Sequence, residues 1–466
     1  MNDQHTTSSI TRRTMLQQTA AAGVASITSA ITPVSAAAEP VNTNSAPSDL
    51  KITDIRACTV ASNFDYPIIR IDTNQGVYGL GEVRDGGVKG QALVLKPHLV
   101  GRNPLQIEVL MERLRPYSGH ARLGGGFSAV DMALHDIAGK VYGVPAYRLV
   151  GTKYRDKVRV YCDTTASRDP EVYARNMLER KKQGFTYFKM DLWTNLVNDR
   201  IGAINGVAAT EKGLRYLCEY IEAVREAIGW DVPLATDHFG RGLTVDDCIR
   251  YGKAFEPYQL AWVEDFIDWQ DTMGMKAITD AINVPNLTGE NTFGFDAFKT
   301  LVDHRAVDII HPDMETSGGI LETKRIADYA NRHHIPAAFH FAGSPVGCMA
   351  SVHCIATVEN FLSMENHAVD IPWWNDLVTG IPNPLVKDGY IDVPETPGLG
   401  VELNDDVVKE HLRYPGYFEP TPQFDEPLVS YGIWKRGPYP HLEDGKLVNE
   451  LDGVRVIHQK PEKMRP

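Results

Sequence analysis

The chain has 466 residues, 43% hydrophobic and 23% charged, and its 60 Asp and Glu outnumber 47 Lys and Arg for a formal net charge of −13. An acidic balance of this kind argues against nucleic acid or an anionic membrane surface as a partner. The six cysteines, Cys58, Cys162, Cys218, Cys248, Cys348 and Cys354, lack C-x-x-C spacing and point to neither a zinc site nor a disulfide framework.

Residues 1–38 read as a Tat-type export signal. Thr11-Arg12-Arg13-Thr14-Met15-Leu16 precedes an Ala-rich stretch over 20–31, and small residues at 35–38 offer cleavage sites. A periplasmic location is therefore expected. The apolar stretch contains Thr, Ser and Gly and is too short for a stable span, so no membrane association is expected after export.

Residues 39–50 form a polar linker. A small α+β domain is expected over 51–157, with strands at 52–60 and 66–72, a further turn and strand in Gly76-Val77-Tyr78-Gly79-Leu80-Gly81-Glu82, and helices at 104–114 and 127–142. From 158 to 405 the pattern predicts eight strands, at 158–163, 187–192, 233–237, 260–264, 286–290, 307–312, 336–340 and 361–365, which is the rhythm of an α/β (β/α)8 barrel. Residues 193–210, rich in Asn and Gly, are long for a loop and are a candidate cover for the barrel mouth. A Pro- and Tyr-rich extension occupies 406–466. Beyond Leu412 it shows little helical or strand period, and its aromatics predict packing on its own surface or on a neighbouring subunit.

Asp237, Glu264, Glu290, Asp313 and His340 follow one another at steps of 27, 26, 23 and 27 residues. A strand of about 5 to 6 residues, a helix of about 11 and two short loops fill that length. Polar residues repeated at the C-terminal ends of barrel strands point into the mouth, where such folds carry their chemistry.

These residues resemble the enolase superfamily, and within it the mandelate racemase/muconate lactonising enzyme branch, over residues 50 to about 405. The likeness rests on Gly79-Leu80-Gly81-Glu82, on Ala129-Val130-Asp131-Met132-Ala133-Leu134-His135-Asp136 leading to Pro145 and Leu149-Val150-Gly151, and on the ordered set Lys189, Asp237, Glu264, Glu290, Asp313, His340 and Glu365. It implies a TIM-like barrel with an N-terminal capping domain, assembled as a homo-oligomer. It also implies one Mg2+ held by Asp237, Glu264 and Glu290, in keeping with the preference of that hard ion for oxygen ligands. Lys189 would be the cationic neighbour of the three acids. The implied chemistry is removal of the proton next to a carboxylate, with His340 as base and Asp313 fixing its tautomer. Glu365 resembles the donor to the substrate carboxylate. That role needs a protonated acid, so burial and neighbouring anions are expected to raise its pKa; a salt-bridging acid is the alternative.

The pattern departs from racemising members, which carry Lys-x-Lys on the second strand. Here the run is Lys189-Met190-Asp191. A two-residue step keeps both side chains on one side, so Asp191 replaces the second base and reads as a contact to a substrate hydroxyl. The expected reaction is dehydration of an acid sugar to a 2-keto-3-deoxy acid. The acid for the departing hydroxyl is either His340 recycling its proton or His238, although strand alternation would turn His238 away from the site. Arg241 can reach an anionic substrate, and Asn366 and His367 are further candidate contacts. Two alternatives remain: an epimerase, racemase or cycloisomerase using the same enolate, and a non-catalytic carbohydrate-acid binding protein.

Overall fold

The N-terminal sheet is built from β1 (Ile52–Val60), β2 (Tyr66–Thr73) and β3 (Tyr78–Glu82), paired antiparallel in that order. It packs on the helix Gly125–Tyr142, nearly all of which is buried. A Cβ at Gly79 or Gly81 would stand 2.0 Å from the carbonyl oxygens of Ala133 and Ala129. The alternate glycines of Gly-Leu-Gly-Glu therefore let strand and helix backbones touch. The computed structural model describes residues 49–237, 239 and 242–427, and the backbone of three strands between 441 and 458. The expected export signal, His238 and Arg241 lie outside the described residues.

The larger domain contains β4 (Lys157–Cys162), β5 (Phe188–Asp191), a hairpin of β6 (Ile204–Asn205) and β7 (Ala208–Ala209), then β8 (Leu234–Asp237), β9 (Val263–Glu264), β10 (Asn286–Thr288), β11 (Ile309–Ile310), β12 (Ala337–Phe339) and β13 (Phe361–Asn366). Parallel pairing runs β4-β5-β8-β9-β10-β11-β12-β13 and closes from β13 onto β4, which makes an eight-stranded barrel. Its floor is sealed by Tyr161, Tyr187 and Trp262, with Tyr161 and Tyr187 each within 5.4 Å of the Trp262 ring centroid. An apolar plug at this level leaves the strand ends above it for polar groups.

Outer helices follow from amphipathic spacing and capping. In Glu211–Ile228 the buried Leu214, Leu217, Ile221, Val224 and Ile228 form one stripe, and Thr210 caps the first turn by accepting from Gly213 N at 3.2 Å. Carboxylates of the N-terminal domain cap two barrel helices. Asp131 accepts from Ile320 N at 2.6 Å, and Glu82 accepts from Ser344 N at 2.8 Å and Gly347 N at 3.0 Å. The first N–H groups of a helix lack intrahelical partners, so these acceptors satisfy them and bind the two domains where the active-site strands end.

The stretch after β5 holds the β6–β7 hairpin rather than irregular loop alone. The first part of the C-terminal extension packs on this chain's own N-terminal domain: Thr421 Oγ1 donates to Ile55 O at 3.0 Å, and Arg413 pairs with Asp65 at 2.6 Å. Further on, His441–Glu443, Lys446–Leu451 and Val454–His458 form an antiparallel sheet, which corrects the expectation of little strand period there. Asp444-Gly445 and Asp452-Gly453 separate these strands in the sequence, and Asp-Gly is a hairpin signal. No described helix is long and apolar enough to cross a membrane.

Candidate active site

The buried ammonium of Lys189, on β5, lies 2.9 Å from Asp237 Oδ2, 3.5 Å from Glu264 Oε1 and 2.5 Å from Glu365 Oε1. Burial opposes its charge, but Asp237, Glu264 and Glu365 outweigh it and hold the lysine pKa well above the ordinary value. Asp191 ends the same strand in register with Asp237. Lys189, Asp237, Glu264 and Glu365 thus meet around one cation at the barrel mouth.

Glu290 faces a different set. Its Oε2 lies 3.0 Å from His340 Nε2, and its Oε1 lies 3.0 Å from Arg122 and 3.7 Å from Arg84. Burial would raise its pKa, but His340, Arg84 and Arg122 hold it well below the usual carboxylate range. Side-chain atoms from His340, Glu365 and His367, from Asp85, Asp313 and His340, and from Glu264, His311 and Glu365 gather within 4.8 Å. Among the described residues, Asp237, Glu264 and Glu290 are not drawn that close to one another.

Asp237, Glu264 and Glu290 nevertheless suit a hard divalent cation chemically. All offer carboxylate oxygens at or just beyond the ends of consecutive strands. A fourth acid, Asp265, has its pKa raised well above normal by burial and by Glu290, Glu264 and Asp237. Its backbone φ of 46° also places it in the left-handed region, unusual for a residue other than glycine. Oxygen donors carrying surplus negative charge are what Mg2+ binds.

Asp313 and His340 are joined by a hydrogen bond of 2.6 Å from Nδ1 to Oδ2. This leaves Nε2 as the ring nitrogen directed at the mouth. Asp313 Oδ1 accepts from Thr316 N at 3.0 Å, so the acid also caps the short helix that follows it. Its Oδ2 takes a second partner, Arg84 Nη1, at 2.7 Å.

Glu365 corrects one expectation. Burial alone would raise its pKa, but Lys189, His367 and His340 outweigh burial and hold it well below the carboxylate range. It also accepts from Tyr161 Oη at 2.9 Å, so in this arrangement it is an ionised acceptor. Asn366 is buried, and its side-chain oxygen accepts from Ala368 N at 2.8 Å, fixing the turn after β13.

Sequence reasoning missed Arg84, Arg122, Asp265, Tyr161 and His311. His311 Nε2 lies 3.2 Å from Glu264, and its pKa is pushed up to about 9 because burial is outweighed by Glu264 and Glu365. A detectable signal for His311 was its place two residues before Asp313 on a predicted strand end, which puts both on one side.

Residues 172–407 match the enolase C-terminal domain-like family, and residues 34–151 match the N-terminal domain of mandelate racemase/muconate lactonizing enzymes. The chain is 36% identical over 376 residues to a D-xylonate dehydratase of Haloferax volcanii, covering 78% of this chain and 89% of the relative. It is 28% identical to a D-mannonate dehydratase of Caulobacter vibrioides, covering 86% of this chain and all of that one (100%). A crystal structure of a mandelate racemase/muconate lactonizing enzyme-like protein from Rubrobacter xylanophilus superposes with a TM-score of 0.73 at 29% identity, over 79% of this chain and 99% of that one.

Proposed function

The chain belongs to the mandelate racemase/muconate lactonizing enzyme family of the enolase superfamily, and from that premise we propose that it dehydrates an acid sugar to a 2-keto-3-deoxy acid with the help of Mg2+. Membership with dehydratase relatives makes it an enzyme, a carbon–oxygen lyase. The observation that carries the reaction is the Asp313–His340 pair, at 2.6 Å, beside a mouth lined with carboxylates and Lys189. A binding protein has no use for a base held in one tautomer.

In this reading His340 Nε2 takes the proton from the carbon next to the substrate carboxylate, while Asp313 accepts the Nδ1 hydrogen and supports the imidazolium that forms. Asp237, Glu264 and Glu290 would hold a divalent cation, which would supply positive charge to the oxygens on which negative charge develops. Lys189 adds a fixed ammonium on the same side. Asp191 stands where a racemising member carries its second lysine, which favours a reaction with one base and a departing hydroxyl.

The supporting relatives are named for D-xylonate, D-galactonate and D-mannonate, so these acids are the first to try. The purified protein is incubated with Mg2+ and each acid in D2O, and 2-keto acid and α-deuterium are read together. Keto acid supports the proposal; α-deuterium without keto acid replaces it with epimerisation or cycloisomerisation.

A further inference from the structure

Dehydration needs an acid as well as a base, because hydroxide is a poor leaving group and departs as water only if protonated. We propose that His367 is that acid, an inference that rests on the dehydratase reading above. His367 follows the last barrel strand, with its ring centroid 5.9 Å from that of His340. It is half-buried rather than sealed.

Its partners suit an imidazolium. His367 Nε2 lies 3.0 Å from Glu365 Oε1, and Nδ1 lies 3.5 Å from Asp163 Oδ2. An acid faces each ring nitrogen, and two acceptors favour the doubly protonated ring. Glu365 lies between the two histidines, since its Oε2 is 3.7 Å from His340 Nε2. It can therefore keep His367 charged, whereas Glu290, the acid 3.0 Å from His340 Nε2, would be held by the divalent cation of the proposed site and leave His340 to act as base. The loop between β1 and β2 closes over His367 from the N-terminal domain: Phe64 stacks edge-on with a centroid distance of 5.8 Å, and Asn63 Nδ2 donates to its carbonyl at 3.3 Å. His367 thus stands where cap and barrel meet, beside the base.

The step balances. The α C–H bond breaks and its proton goes to His340 Nε2. The electron pair forms the Cα=Cβ bond as the Cβ–O bond breaks, and the hydroxyl leaves as water with a proton from His367. The enol then becomes the 2-keto acid by gaining a proton at Cβ and losing its own hydroxyl proton. His340 ends with one proton more and His367 with one fewer, and solvent exchange restores both. No oxidant or reductant is involved.

The test compares the full-length protein and His367→Asn, with Mg2+, on D-xylonate and on its 3-deoxy-3-fluoro analogue. Fluoride leaves without a proton donor. The assignment predicts that His367→Asn slows dehydration by roughly 100-fold or more, while fluoride release stays close to the wild-type rate. Equal loss on both substrates would overturn it by showing a structural role, and so would no loss on either. A wild-type protein that dehydrates no acid of the panel, D-galactonate and D-mannonate included, would refute the dehydratase reading and this assignment with it. Wild-type turnover with an unimpaired variant would refute the assignment alone.

Discussion

Arg84 of the N-terminal domain and His340 of the barrel bind the same oxygen of Asp313, at 2.7 Å and 2.6 Å. Arg84 is fully buried and also donates to Glu290 O and Thr316 Oγ1, each at 3.0 Å. One guanidinium from the cap therefore helps to position the base on the barrel.

Removing Arg84 is expected to damage both stability and turnover. Arg84→Met leaves Asp313 and Asp85 buried without their shared cation, and breaking such a pair costs about 3–5 kcal/mol. Thermal unfolding should show a large fall in Tm. Arg84→Lys keeps the charge but loses the fork that spans Asp313 and Glu290, and should recover stability more fully than kcat. Equal stability of all three proteins would refute the shared-anchor account.

Asp313→Asn should keep the chain folded, with a lower Tm because buried Arg84 loses one of its carboxylates. It should also lower kcat by about 100-fold or more, because an amide no longer fixes the imidazole or offsets its charge. Circular dichroism and steady-state rates on one preparation check this. A variant with wild-type kcat would detach Asp313 from catalysis.

Glu82 and Glu315 predict a pH effect on stability. Burial, Glu82 and Asp313 push the Glu315 carboxyl well above normal, and its oxygens have no hydrogen-bond partner. Burial likewise pushes Glu82 up to about 7, against the hydrogen bonds it accepts from Ser344 and Gly347. Such groups keep their protons in the folded chain after the unfolded chain loses them, near pH 4.3. Their contribution is present in full below that pH and is lost as pH rises towards 7 and beyond. Glu315→Gln should therefore raise Tm more at pH 8 than at pH 5. A gain equal at both pH values would contradict the buried-acid account.

Metal removal offers a test that does not depend on substrate. Mg2+ at about 100 times its dissociation constant should stabilise the protein by about 2.7 kcal/mol, and chelation should abolish turnover. In Asp237→Ala and Glu264→Ala the Mg2+-dependent rise in Tm should shrink or vanish. A rise unchanged in both variants would place the ion elsewhere.

We further propose export through the twin-arginine segment. Replacing both Arg12 and Arg13 by Lys should leave the precursor in the cytoplasmic fraction, whereas the unaltered chain should reach the periplasm. Equal distribution would remove the export reading.

The barrel was legible because its strand ends recur at βα spacing, and Lys189, Asp237, Glu264 and Glu365 do meet around one another. Arg84 was not legible. It is one arginine in a glycine-flanked run, and nothing local marks its reach to Asp313. Glu365 was misjudged because burial was weighed without Lys189, His367 and His340, which surround it and outweigh burial. The last sheet follows an aromatic, Pro-rich stretch with no strand period, and only the two Asp-Gly pairs mark its turns.

The central claim is that His340 removes the proton next to a carboxylate. Wild type and His340→Asn are incubated in D2O with Mg2+ and D-xylonate, D-galactonate or D-mannonate, and α-deuterium and 2-keto acid are followed by NMR. The account predicts 2-keto acid from at least one acid with the wild type, and neither signal with the variant. Undiminished 2-keto acid formation by His340→Asn would contradict it.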